Sequence, residues 1–156
     1  MAMRQSIDAI LQEAIQGEVE SYELYAELVD RVKAPQVKET LQQLAQEELG
    51  HKANLEKMLS GPGQLRIQIR ELQESAVQDY GIGDHLQVDP LEVDATFQDV
   101  CIFASKKEQQ SYDVYNVLAQ QSSGEVHALF AAMAKDEMRH KNLVERWYEE
   151  DVYQDF

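Results

Sequence analysis

Cysteine occurs once in the 156 residues, at Cys101. That excludes an internal disulfide, a Cys-x-x-Cys redox pair and an iron or zinc centre built on several thiolates. Cys101 falls on an apolar stripe and reads as a small core residue. Proline occurs three times and glycine seven; a chain poor in both, and rich in Leu, Glu, Gln, Ala and Lys, favours long helices over sheet. Positive charge is scarce too, with 14 Lys and Arg against 29 Asp and Glu and a formal net charge of −15. With no basic stripe to neutralise phosphates, nucleic acid is excluded as a partner, and anionic membrane surfaces repel the chain. Apolar runs are short: none reaches the ~18 residues that span a bilayer, and the opening MAMRQSIDAILQEAI lacks the pattern of a secretory leader. These absences predict a cytoplasmic, all-α protein, and the length suits one domain spanning residues 1–156 with a substantial core.

Four long helices are legible from apolar spacing. The first spans about residues 6–33, with Ser6 as N-cap and KAP at 33–35 as its break. The second spans about 36–59 and stops at SGPGQ, where Gly61 suits a left-handed C-terminal position and Pro62 cannot continue the helix. A short turn makes this pair an antiparallel hairpin. Residues 61–95, punctuated by GPG, YGIGD and VDPLEVD, have the length of a crossover along a bundle and room for a short helix near 65–80. The third helix, ending near 121, begins either at Pro90, capped by Asp89, or near Phe97, capped by Thr96 with Asp99 behind it. The fourth spans about 123–150, with Ser122 and Glu125 spaced for a capping box.

The chain repeats itself. AIQGEVESYELYAEL at 14–28 aligns with ASKKEQQSYDVYNVL at 104–118 at an offset of 90, matching Glu18 with Glu108, Ser21 with Ser111, Tyr22 with Tyr112 and Tyr25 with Tyr115. Glu48 and His51 then match Glu137 and His140 at an offset of 89. The same helix pair therefore occurs twice, which predicts a four-helix bundle of two similar hairpins.

Six polar residues occupy positions that belong to the core. The stripe Leu41, Leu44, Glu48, His51, Leu55, Met58 has its copy in Phe130, Met133, Glu137, His140, Val144, Trp147, and Glu18 and Glu108 interrupt the stripes of the other two helices. At the helical rise all six lie roughly 25 Å from the hairpin turns, at one level of the bundle. Four carboxylates in an apolar interior would cost several kcal/mol each unless matched by positive charge. Two divalent cations bring four positive charges, and neutral imidazoles complete the shells. Carboxylate bundles that hold two iron or two manganese ions use this arrangement, one Glu from each of two helices and Glu-x-x-His from each of the other two. Iron and manganese suit the donor set almost equally, with zinc as a redox-silent substitute. Tyr25 and Tyr115, two turns beyond their glutamates, suit either a hydrogen bond to a metal-bound carboxylate or core packing. Tyr22 and Tyr112 read as packing residues, His85 and His127 as structural or exposed, and Glu47 and Asp136 as outer-face charges.

With AIQGEVESYELY, LAQEELGHK, ASKKEQQSYDVY and MAKDEMRHK in view, the chain resembles the rubrerythrin branch of the ferritin-like superfamily over nearly its whole length. The resemblance implies a ferritin-like bundle with a non-haem di-iron centre on Glu18, Glu48, His51, Glu108, Glu137 and His140. It also implies ferrous iron oxidation coupled to reduction of hydrogen peroxide or dioxygen, with Glu48 and Glu137 bridging. Peroxidase members carry a further glutamate one turn after the third-helix ligand, where this chain has Ser111, and append a four-cysteine iron domain. With a single cysteine here, electrons come from an external donor or from the ferrous iron itself. The ligand set is also similar to the ferroxidase centre of bacterioferritins, whose haem-ligating Met follows the second-helix glutamate; Leu49 stands there, so no haem is expected. A ferroxidase serving iron storage and a non-catalytic bundle held together by metal are the alternatives. A homo-oligomer, dimer or larger, is expected, and the tail RWYEEDVYQDF suits either self-association or packing over the bundle end.

Overall fold

The Ser6 hydroxyl accepts the Ala9 N–H at 3.0 Å and opens the first helix, α1 (Ile7–Leu28). A computed structural model describes residues 6–72 and 91–153. Beyond α1 the chain tightens into a single 3₁₀ turn, Val29–Arg31, so the α-helix is shorter than its sequence pattern. The cause lies downstream: Pro35 forces the residue before it out of the helical region, and Ala34 is extended at ψ 122°. Pro35 then starts α2 (Pro35–Ser60), where its missing N–H costs nothing.

Gly61 departs from the expected left-handed cap. Its backbone is extended, with φ −72° and ψ 154°, and its N–H closes on the Lys57 carbonyl at 2.9 Å. Glycine is required there by proximity, since a Cβ would meet the Lys57 carbonyl oxygen at 2.6 Å. The positive φ falls instead at Gly63, 95°, which leads into the short α3 (Gln64–Arg70). This helix occupies the start of the stretch expected near 65–80. Residues 73–90 of the crossover, with His85, Asp89 and Pro90, lie outside the described residues.

Of the two starts weighed for the third long helix, the later one forms. Residues 91–96 are not helical, and Thr96 and Asp99 exchange side-chain-to-backbone hydrogen bonds of 3.1 and 3.0 Å at the head of α4 (Phe97–Gln120). The capping box expected of Ser122 and Glu125 does not form. Ser122 donates instead to the carbonyl of Leu118 at 2.8 Å, finishing α4. The last helix, α5 (Gly124–Tyr153), receives a partner from α3: the Gln68 side-chain oxygen accepts the Val126 N–H at 3.1 Å.

α1 packs on α2 and α4 on α5, giving the expected all-α bundle of two hairpins. Two apolar clusters fill it. One gathers Leu11, Leu55, Ile69, Leu118 and Phe130; the other gathers Leu28, Leu41, Leu44, Cys101, Val144 and Trp147. Trp147 thus packs inward rather than offering a contact surface, and Cys101 is the small core residue expected. Tyr22 and Tyr112 are half-buried against these clusters. α3 closes one end, anchored by Arg66, whose guanidinium donates to both oxygens of Asp8 at 2.6 and 2.9 Å. Among the described residues no helix is long and apolar enough to cross a membrane.

Candidate metal centre

Between the two apolar clusters lies a polar layer. Glu18, Glu48, His51, Glu108, Glu137 and His140 are each 4% exposed or less. The bundle brings all six together, one Glu from α1, one from α4, and a Glu–His pair one turn apart from α2 and from α5. They form two overlapping groups. In the first, one donor atom from each of Glu18, Glu48, His51 and Glu137 lies within 4.8 Å of the others; in the second the same holds for Glu48, Glu108, Glu137 and His140. Glu48 and Glu137 belong to both, so the site has two halves sharing two carboxylates.

The tyrosines cross over. Tyr25, on α1, donates to Glu108 Oε1 on α4 at 2.5 Å, and Tyr115, on α4, donates to Glu18 Oε1 at 2.5 Å. This reciprocity fixes α1 and α4 antiparallel. Each O–H consumes one carboxylate oxygen and leaves Oε2 of Glu18 and Glu108 with no hydrogen-bond partner. Burial, and then the facing Glu108 or Glu18, push both phenols well above their ordinary range, so they remain donors.

Glu47 and Asp136, read from sequence as outer-face charges, are the outer partners of the imidazoles. Asp136 Oδ2 lies 3.0 Å from His51 Nε2, and Glu47 Oε2 lies 3.3 Å from His140 Nε2. A carboxylate only accepts, so Nε2 is the nitrogen that keeps a proton in the neutral imidazole, and Nδ1 is the one left to face inward as a ligand. The signal that would have found them is the repeat itself, because each acid precedes its Glu-x-x-His in both hairpins, at the offset of 89. His127, by contrast, points its Nδ1 at the Ala119 carbonyl, 2.6 Å away, and is structural.

Seven buried donor atoms face one another without a hydrogen-bond partner: Glu18 Oε2, both Glu48 oxygens, His51 Nδ1, Glu108 Oε2, Glu137 Oε1 and His140 Nδ1. His51 Nδ1 and Glu137 Oε1 are 2.8 Å apart but misaligned for a hydrogen bond. So many orphaned atoms of one kind ask for a cation. Without one, the cluster gathers protons. Burial, then Glu48, raise Glu18 to about 8, and burial, then Glu108, Glu48 and Glu18, hold Glu137 well above the carboxylate range. Burial opposes charge on both imidazoles. The carboxylates outweigh it, lifting His140 to about 10 through Glu108 and Glu48 and driving His51 upward through Asp136, Glu137, Glu18 and Glu48. Glu48 goes the other way: burial pulls it up, but His140 and His51 prevail and hold it at about 2. The donor set, four carboxylates and two inward Nδ1 atoms, is compatible with two adjacent divalent ions such as iron.

Residues 9–82 and 99–154 match the sequence model of the rubrerythrin family. No curated protein and no solved structure gave a match.

Proposed function

The chain belongs to the rubrerythrin family, and on that premise we propose that it is a non-haem di-iron oxidoreductase, coupling oxidation of Fe(II) to reduction of hydrogen peroxide or dioxygen. The observation that carries this reading is the pair of four-donor groups sharing Glu48 and Glu137, lined by seven partnerless buried atoms. When bound, two adjacent irons supply two electrons together, which avoids release of a one-electron oxygen radical.

The chain's own residues hold and orient. Glu48 and Glu137, common to both groups, would be shared by the two cations; Glu18 and His51 would serve one half, Glu108 and His140 the other. Tyr25 and Tyr115 restrain the terminal carboxylates through one oxygen each. Asp136 and Glu47 set the imidazole tautomer and strengthen Nδ1 as a donor. The apolar clusters on either side exclude bulk water, so charge within the layer is screened little. The further electrons a peroxidase cycle consumes come from an external donor.

A second reading has its own support. Ser111, one turn beyond Glu108, offers no fifth carboxylate, and its repeat partner Ser21 is a buried serine, so the donor set stays symmetric. That symmetry suits a ferroxidase, in which Fe(II) is the substrate and Fe(III) passes onward. One experiment separates the readings: anaerobic loading with Fe²⁺, then stopped-flow mixing with hydrogen peroxide or dioxygen while ferric absorbance and iron per chain are followed. About two irons per chain, oxidised much faster by peroxide, supports the peroxidase reading. Turnover of many irons with dioxygen supports the ferroxidase, and no oxidation by either sinks both.

A further inference from the structure

The internal repeat allows each half of the site to serve as a control for the other, and behind the two histidines the match is broken. At the offset of 89, Arg139 stands where the first hairpin has Gly50. Its guanidinium pairs closely with Glu47 Oε1 and lies 3.6 Å from Asp136 Oδ1. Glu47 is thereby divided between two donors, Arg139 on Oε1 and His140 Nε2 on Oε2. Asp136 has only the looser approach of Arg139 and keeps the shorter bond to its imidazole, 3.0 Å to His51 against 3.3 Å from Glu47 to His140. On the first hairpin no side chain at position 50 can do the same to Asp136.

We propose that Arg139 makes the two halves of the site unequal, so that the Glu18–His51 half takes the first divalent cation and the Glu108–His140 half the second. A carboxylate behind a ligating histidine raises the basicity of its inward nitrogen, and a guanidinium on that carboxylate withdraws part of the effect. Outer partners of this kind typically change metal affinity about 10- to 100-fold. Arg139 is 43% exposed, so water screens its pull and the lower end, about tenfold, is the expected gap between the two binding constants. Arg139 is a positioning residue, acting through Glu47 on His140. The inference rests on the reading of this cluster as a two-cation site.

Anaerobic calorimetric titration with Co²⁺, whose visible bands also report its ligands, tests it. The expected result is two constants about tenfold apart, with Arg139→Gln raising the weaker more than the stronger and narrowing the gap. Gly50→Arg provides the mirror test. A Cβ there meets nothing within 4 Å, and the new guanidinium lowers the stronger constant. His140→Gln keeps the spectrum of the first equivalent, whereas His51→Gln loses it. Equal constants in the unaltered protein, an unmoved weaker constant in Arg139→Gln, or loss of the first-equivalent spectrum in His140→Gln rather than His51→Gln overturns the proposal while leaving the metal site standing. Absence of cobalt binding overturns the metal site itself.

Discussion

At the scale of single residues, one phenol O–H per terminal carboxylate decides which oxygen remains to bind. Tyr25 and Tyr115 each hold the glutamate of the opposite helix at 2.5 Å. Replacing either with Phe keeps the ring in its buried slot and frees the carboxylate to rotate. Tyr25→Phe and Tyr115→Phe are each expected to weaken metal binding by about tenfold, with helical circular dichroism unchanged. A titration in which neither variant differs from the parent would assign the tyrosines to packing alone. That both tyrosines face the site was legible, since a seven-residue step returns to the same helix face. Their crossing was not, because it depends on how α1 and α4 register against each other. Glu47 and Asp136 were misread for a related reason. A position one residue off the core stripe normally meets water, and only packing of α2 against α5 gives it an imidazole.

At the scale of elements, the stripes marked the four long helices, while the joints depended on partners distant in sequence. The Thr96–Asp99 box was readable because its donors and acceptors lie within one turn. Thr96→Ala should cost about 1 kcal/mol, measured by denaturant unfolding. Ser122 has the same local spelling, yet its hydroxyl goes backward to Leu118, and α5 is met by Gln68 from α3, 58 residues away. The glycines divide in the same way. Gly50 lies exposed within α2 with free space around it, so Gly50→Ala should add about 1 kcal/mol and raise Tm by roughly 2–4 °C. Gly124 has φ 64°, and a Cβ there would press on the Gln68 amide at 2.9 Å. Gly124→Ala should lower stability by about 1–2 kcal/mol. Equal effects of the two alanines would contradict this assignment of their backbones.

At the scale of the whole molecule, the polar layer sets how stability depends on pH, and metal should offset the dependence. In metal-free protein Glu18 titrates at about 8 against an ordinary 4.5, and His140 at about 10 against 6.5. Between each pair of values the folded chain holds more protons than the unfolded one, so unfolding free energy falls as pH rises. The contribution of Glu18 is complete below about 4.5 and lost by about 8; that of His140 is complete below 6.5 and lost by about 10. Glu48, held at about 2 against 4.5, acts oppositely, but its loss occurs only as pH falls below 4.5. A net charge of −15 adds self-repulsion in the same direction as Glu18 and His140 at neutral pH. Metal-free protein should therefore melt at progressively lower temperature from pH 5 to pH 9. A cation bound by the same atoms must displace those protons, so its binding tightens with pH and the Tm gain on loading should widen over the same interval. Differential scanning calorimetry of chelator-treated and Co²⁺-loaded protein measures both curves. A gain that stays constant with pH would mean that the cation binds somewhere other than this proton-holding layer.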